Sequence, residues 1–205
     1  MLKLHSKLCV KLASFGIEGN LLQWISSFLH DRTQCTKVGN CQSSLSKVIS
    51  GVPQGSVLGP LLFLLFINDL PSLFGDRMTV KMFADDVKIY LVVGDIDSSS
   101  VLQCGLDALF DWSLKWQLSV SAKKCVMLQL GHSNKHFKYN INNLVLPNVI
   151  EVKDLGIIVD HELKFKRHIQ DITTRAHQRA SLILRCFKSK DLFLLFKAFA
   201  TTPGV

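Results

Sequence analysis

Apolar residues recur three and four positions apart through residues 4–15, and again through Trp24, Ile25, Phe28 and Leu29. This spacing predicts two short packing helices, the first closed by Gly16 and the second capped by Asn20. Residues 36–50 are polar and rich in Ser, Asn and Gly, with 35–38 and 45–49 readable as paired strands. Glycine and proline then halt regular structure over residues 51–56. Ser56 is placed to cap a mostly buried helix that tolerates Pro60 near its start, runs through 61–70 and stops at Pro71. Residues 78–83 and 87–93 are rich in strand formers and flank Ala84-Asp85-Asp86, which predicts a tight hairpin with both carboxylates at its tip and Phe83 and Tyr90 filling core.

Ser98, Ser99 and Ser100 introduce a long amphipathic helix with Leu102, Leu106, Leu109, Trp112 and Trp116 near one face. A strand over 125–130 ends at Gly131, and a second over 150–160 follows a polar loop. From Phe165 onward Ile169, Ile172, Ala176, Ala180 and Ile183 keep helical spacing. Mixed strands and helices give an α+β class, with a soft boundary between about Asp160 and Lys166 where the composition turns basic.

The net charge of +8 and pI near 9.3 favour an anionic partner such as nucleic acid. Six scattered cysteines without a CxxC pair point to reduced thiols. Neither His30, Cys35 and Cys41 nor Cys125, His132 and His136 forms a recognised four-ligand zinc pattern. No basic-then-apolar leader opens the chain, and the longest apolar run, 57–67, is too short to span a bilayer. The expectation is an intracellular protein, in cytoplasm or nucleus, with no membrane role.

Adjacent carboxylates between apolar strands need compensation, because like charges repel and Asp is poor in strands. A divalent cation supplies it: hard carboxylate oxygens suit Mg²⁺, with Mn²⁺ as a substitute, and such ions take further ligands from substrate phosphates. A Gly-x-Ser-x-Gly nucleophile and a His-Glu-x-x-His site are both absent from the sequence.

Gly51-Val52-Pro53-Gln54-Gly55-Ser56-Val57-Leu58-Gly59-Pro60-Leu61-Leu62-Phe63 and Phe83-Ala84-Asp85-Asp86, with Ile67-Asn68-Asp69-Leu70-Pro71 between them, resemble successive motifs of reverse transcriptases from LINE-like, non-LTR retrotransposons. Residues 116–127 and 153–160 resemble the family's next two blocks. The resemblance implies a polymerase palm, an antiparallel sheet with packed helices, over 1–160 and a helical thumb-like segment over 161–205. It implies two-metal nucleotidyl transfer, with deoxynucleoside triphosphates added to a DNA primer on an RNA template. Asp85 and Asp86 become metal ligands. Lys124 matches a lysine proposed to protonate the leaving pyrophosphate, and Pro53, Gln54, Gly55 and Ser56 border nucleotide or template. Lys164, Lys166, Arg167, Arg175 and Arg179, with Arg185, Lys188 and Lys190 beyond them, are expected to grip phosphates.

The sequence also departs from the family's pattern. A third metal-binding Asp, expected shortly before a histidine like His5, would fall at or before Met1, and the fingers region that should precede the palm is missing. At the other end residues 192–200 resemble a helix that the family continues, but 201–205 break away. A fragment truncated at both ends, with little or no activity alone, is the expectation. The alternative is a non-catalytic nucleic-acid-binding relic. An RNA-templated RNA polymerase would carry Gly where this chain has Ala84.

Overall fold

A computed structural model describes residues 3–92, 96–131 and 137–186 of the chain. Val93, His132, His136, Lys188, Lys190 and the helix expected over 192–200 lie outside the described residues. Helices and strands are mixed, so the α+β class holds.

The chain divides into two units, Met1–Lys123 with Tyr139–Val145, and Lys124–Lys138 with Leu146–Val205. The first unit opens with α1 (Lys3–Ser14) and α2 (Gly19–Leu29). Gly16, at φ 80°, closes the first helix in the left-handed region that glycine enters without penalty. Asn20 lies inside α2 instead of capping it, and Glu18 at the N-cap makes no side-chain cap bond.

Four two-residue strands then build one exposed ribbon. β1 (Thr33–Gln34) pairs with β4 (Ser46–Lys47), and β2 (Lys37–Val38) pairs with β3 (Cys41–Gln42). The expected pairing of 35–38 with 45–49 is therefore replaced by a hairpin turning at Gly39–Asn40. A two-residue Gly-Asn connection suits a tight turn, which closes the nearer residues first.

α3 (Leu58–Ile67) stops before the expected Leu70, and Pro71 sits inside a separate 3₁₀ turn, Leu70–Leu73. Only part of α3 is buried: Gly59, Leu62, Phe66 and Ile67 face inward, while Leu61 and Leu64 are exposed. The hairpin β5 (Thr79–Phe83) and β6 (Asp86–Tyr90) follows, then α4 (Ile96–Trp116), with Ser98 buried within its first turn. The unit's core gathers Leu8 and Leu12 of α1, Ile25 and Leu29 of α2, Leu62 and Phe66 of α3, and Leu109 and Trp112 of α4. Val80, Met82, Val87 and Ile89 pack against it from the hairpin. Burying each such side chain contributes roughly 1.5–3 kcal/mol. Those contacts fix the hairpin's inner face.

The first unit also holds a hairpin that the sequence pattern left as loop: β8 (Asn140–Ile141) and β9 (Leu144–Val145), joined by Asn142 and Asn143 at φ 49° and 60°. Two asparagines in that region are the signature of a tight type I′ turn.

In the second unit the strand expected over 125–130 shortens to β7 (Met127–Leu128), which pairs in parallel with β10 (Asn148–Val149). The single strand expected over 150–160 is a hairpin, β11 (Glu151–Asp154) and β12 (Ile157–Asp160), turning at Leu155 and Gly156 with φ 45° and 88°. α5 (Lys166–Cys186) follows. Its apolar positions Ile169 and Ile172 are exposed among the described residues, so amphipathic spacing here does not mark burial. No helix among the described residues is long and apolar enough to cross a membrane.

Candidate functional site

The β5–β6 register sorts the hairpin into two faces. Val80 opposes Ile89 and Met82 opposes Val87 on the core side; Thr79 opposes Tyr90, Lys81 opposes Lys88 and Phe83 opposes Asp86 on the other. Phe83 and Tyr90 are 63% and 47% exposed, so they do not fill the core as expected. Strand parity explains this: Phe83 lies two positions from Lys81 and Tyr90 two positions from Lys88, on the face opposite the core side. Ala84 and Asp85 make the turn, and Asp86 is the first residue of β6, so only one carboxylate stands at the tip itself. Ala84 has φ 49°, in the left-handed region where hairpins of this length favour glycine.

Both carboxylates are exposed, and neither has a hydrogen bond or ion pair with a described side chain. Their oxygens are open to a ligand. Two unpaired hard donors on a rigid turn fit a divalent cation that draws its other ligands from water and phosphate. Among the described residues no group of three His, Cys, Asp or Glu side chains converges, so a closed all-protein cage is not built here.

Pro53, Gln54, Gly55 and Ser56 lie in the loop ahead of α3. Ser56 performs the expected capping: its Oγ accepts the Gly59 N–H at 3.0 Å and donates to the Pro53 carbonyl at 2.6 Å. Gly59 is required by close approach, since a Cβ there would stand 2.9 Å from the Pro53 oxygen and 3.0 Å from Ser56 Oγ. Gly55 needs its φ of 81° instead, and nothing lies within 4 Å of where its Cβ would be. That backbone is open to an incoming group. Gln54 and Gly55 are exposed, while Pro53 and Ser56 are half-buried.

The loop is anchored from α1. His5, 2% exposed, places Nε2 2.8 Å from the Gly51 carbonyl oxygen, so the ring donates there and leaves Nδ1 buried without a partner. The histidine was singled out in the sequence only by resemblance; its reach to Gly51, 46 positions away, has no signal in the pattern.

Lys124 ends a short 3₁₀ turn, Ala122–Lys124, and is exposed; it belongs to the second unit, whereas Asp85 and Asp86 belong to the first. Three of the five basic candidates beyond it hold carboxylates: Lys164 with Glu162 at 2.9 Å, Arg167 with Glu151 at 3.6 Å and Arg175 with Asp171 at 2.6 Å. Lys166 and Arg179 have no such pair. Exposed pairs of this kind are worth at most about 1 kcal/mol, so a phosphate can displace them. At roughly 100° per residue, Lys166, Arg167 and Arg175 fall on different sides of α5, and only Arg175 and Arg179, one turn apart, are neighbours.

The least foreseeable pairing joins Lys11 to Asp69. Lys11 is 3% exposed, its Nζ 2.5 Å from Asp69 Oδ1 and 4.0–4.7 Å from the ring centroids of Phe66, Trp112 and Trp116. A lysine on the inner face of a helix gives no notice of a partner 58 positions on.

Comparison with known proteins identifies a family. The profile of the family described as reverse transcriptase (RNA-dependent DNA polymerase) matches residues 4–159. The chain is 33% identical over 176 residues to the RNA-directed DNA polymerase from mobile element jockey of Drosophila funebris, covering 82% of this chain and 19% of that protein. It is 31% identical over 164 residues to the probable RNA-directed DNA polymerase from transposon X-element of Drosophila melanogaster, covering 77% of this chain and 18% of the relative. A polyprotein from the type-1 retrotransposable element R2 of Popillia japonica is 26% identical over 162 residues, covering 70% and 22%. The chain thus spans about a fifth of the length of the curated relatives it matches. No solved structure matches.

Proposed function

This chain belongs to the reverse transcriptase (RNA-dependent DNA polymerase) family, as found in non-LTR retrotransposons, and from that premise we propose that it carries the nucleotidyl-transfer site of RNA-templated DNA synthesis. The carrying observation is the pair of exposed carboxylates without side-chain partners, Asp85 and Asp86, on a hairpin whose inner face is locked into the core. In this reading residues 1–160 act as palm and 161–205 as thumb.

Asp85 and Asp86 would hold Mg²⁺ or Mn²⁺. Such a cation lowers the cost of charge on the attacking 3′ oxygen and on the leaving pyrophosphate. The chain's own residues do the rest. Gly55 and Gln54 offer bare backbone and an amide to the incoming deoxynucleoside triphosphate or the template base. Ser56 and His5 hold that loop in place, so the bound nucleotide meets a preset surface. Lys124 gives a proton to pyrophosphate as it departs. Lys164, Lys166, Arg167, Arg175 and Arg179 contact primer–template phosphates.

With only two carboxylates gathered among the described residues, primer extension by the chain alone should be slow or absent. The second reading, a non-catalytic nucleic-acid binder, rests on the same shortage. The decisive test records Mn²⁺-induced broadening of backbone amide resonances in the presence of primer–template and deoxynucleotide. Broadening centred on residues 84–87, lost in the Asp85→Asn, Asp86→Asn double variant, is the expected result. Tight primer–template binding with no broadening there would leave only the binder. Primer extension abolished by the double variant would show that two carboxylates suffice.

A further inference from the structure

The ribbon of residues 32–48 projects from the first unit without covering any core: residues 31–47 are all exposed. Its base is fastened by Arg32, whose Nε donates to the Phe28 carbonyl at 2.8 Å and whose guanidinium lies 4.6 Å from the Phe28 ring centroid. The Val48 N–H closes the ribbon on the Arg32 carbonyl at 2.8 Å. Arg32 is thereby committed to anchoring. Two other cations remain.

Lys47 pairs with Thr33 of β1 and Lys37 pairs with Gln42, which reaches back to Cys35 two positions from Thr33, so the two lysines stand on one face of the ribbon. Thr33, Cys35 and Gln42 complete it, the Gln42 amide donating to Cys35 Sγ at 2.8 Å. At about 3.3 Å per residue the four positions from Thr33 to Lys37 set the backbones of the two lysines roughly 13 Å apart along the ribbon. Neither lysine is paired with a carboxylate. The sequence offers no nearby acid either: no Asp or Glu occurs between Asp31 and Asp69. The ribbon runs directly into the loop of Gly51 and Gln54.

We propose that this ribbon is a second nucleic-acid contact, its Lys37–Lys47 face lying along the phosphate backbone of the strand that enters the site. The inference rests on the polymerase reading above. Polar side chains, two unneutralised lysines at a spacing of about two phosphates, and a carboxylate-free stretch complement a polyanion and not a mixed-charge protein surface.

The test uses the full chain and a fluorescent DNA primer on an RNA template with a single-stranded overhang, titrated by anisotropy at several salt concentrations. Each phosphate neutralised contributes about 0.7–0.9 to the slope of log affinity against log salt. Lys37→Gln, Lys47→Gln should lower the slope by about 1.4–1.8 and weaken binding at low salt, with an unchanged circular dichroism spectrum. Equal slopes in wild type and variant, with wild type binding, overturn the proposal and leave the polymerase reading intact. No binding by wild type removes both. A self-association that Val38→Asp abolishes, with slopes unchanged, would assign the ribbon to a second copy of the chain instead.

Discussion

Lys11 Nζ donates to Asp69 Oδ1 and to the Phe66 carbonyl oxygen, both at 2.5 Å, and so ties α1 to the chain just beyond α3. Phe66, Trp112 and Trp116 surround the ammonium with ring faces that favour a cation. Removing Asp69 leaves the buried ammonium uncompensated, whereas removing Lys11 leaves a carboxylate that is partly exposed to water. Asp69→Ala should destabilise the fold by about 3 kcal/mol, near the low end for buried pairs because Asp69 is partly exposed. Lys11→Met, of similar volume, should change stability by less than about 1.5 kcal/mol. Urea denaturation of the two variants checks the order.

The same site gives a pH dependence. Burial pulls the Lys11 pKa below its ordinary 10.5, Asp69 opposes that through its hydrogen bond and charge, and Lys115 adds repulsion. In the window between the folded-state value and 10.5 the unfolded chain binds more protons, so stability rises with pH there. As pH falls through the folded value that contribution is lost. Melting temperatures measured from pH 7 to 10.5 should show a positive slope in wild type that is smaller in Lys11→Met.

Asp160 accepts the N–H groups of Lys164 at 3.1 Å, Phe165 at 2.6 Å and Glu162 at 3.0 Å, and so shapes the turn ahead of α5. The Lys164 bond is the largest cause of a pKa held below 3.8; desolvation opposes it, and the other two N–H groups and His161 add to it. Leu163 and Phe165, at φ 57° and 56°, keep strained backbone in that turn. Because the folded-state pKa is depressed, the stabilisation is present above about pH 3.8 and lost as pH falls through the lower folded value. Asp160→Ala should expose the turn at neutral pH, seen as new trypsin cleavage after Lys164, while in wild type the melting temperature should fall as pH drops below about 3.8.

Ala84 at φ 49° carries a left-handed cost of about 1–2 kcal/mol, partly offset in glycine by greater freedom of the unfolded chain. Ala84→Gly should therefore stabilise by about 0.5–1 kcal/mol, and Ala84→Val should destabilise by more than that. The ranking Gly, Ala, Val in thermal melts is the expected result.

Gly59→Ala would press a methyl group against the Pro53 carbonyl oxygen at 2.9 Å, which backbone cannot relieve cheaply. Overpacking of this kind costs about 1–3 kcal/mol and should displace residues 53–56. Amide chemical shifts of Gln54 and Gly55 should move in Gly59→Ala and stay in Gly105→Ala, where the crowding atoms belong mainly to the flexible end of Met78.

Local chemistry along the chain determined much of this protein. Three- and four-residue spacing placed α1, α2, α4 and α5, the Ser56 cap marked the start of α3, and two runs of strand formers around Ala84-Asp85-Asp86 marked the hairpin. The contiguous motifs around Gly51 and Asp85 carried the family. These are properties of neighbours in sequence, and neighbours are what periodicity and motif report.

Tertiary structure decided the rest. Whether Phe83 and Tyr90 face core or solvent depends on which face of the hairpin meets α-helices, and strand composition cannot choose between faces. The splitting of 150–160 into a hairpin turns on Leu155 in a left-handed conformation that leucine does not advertise. His5 on the Gly51 carbonyl and Lys11 on Asp69 join positions 46 and 58 residues apart. Their polar groups became obligatory partners only once packing had removed water from both, a condition set by the assembled core and by no residue alone.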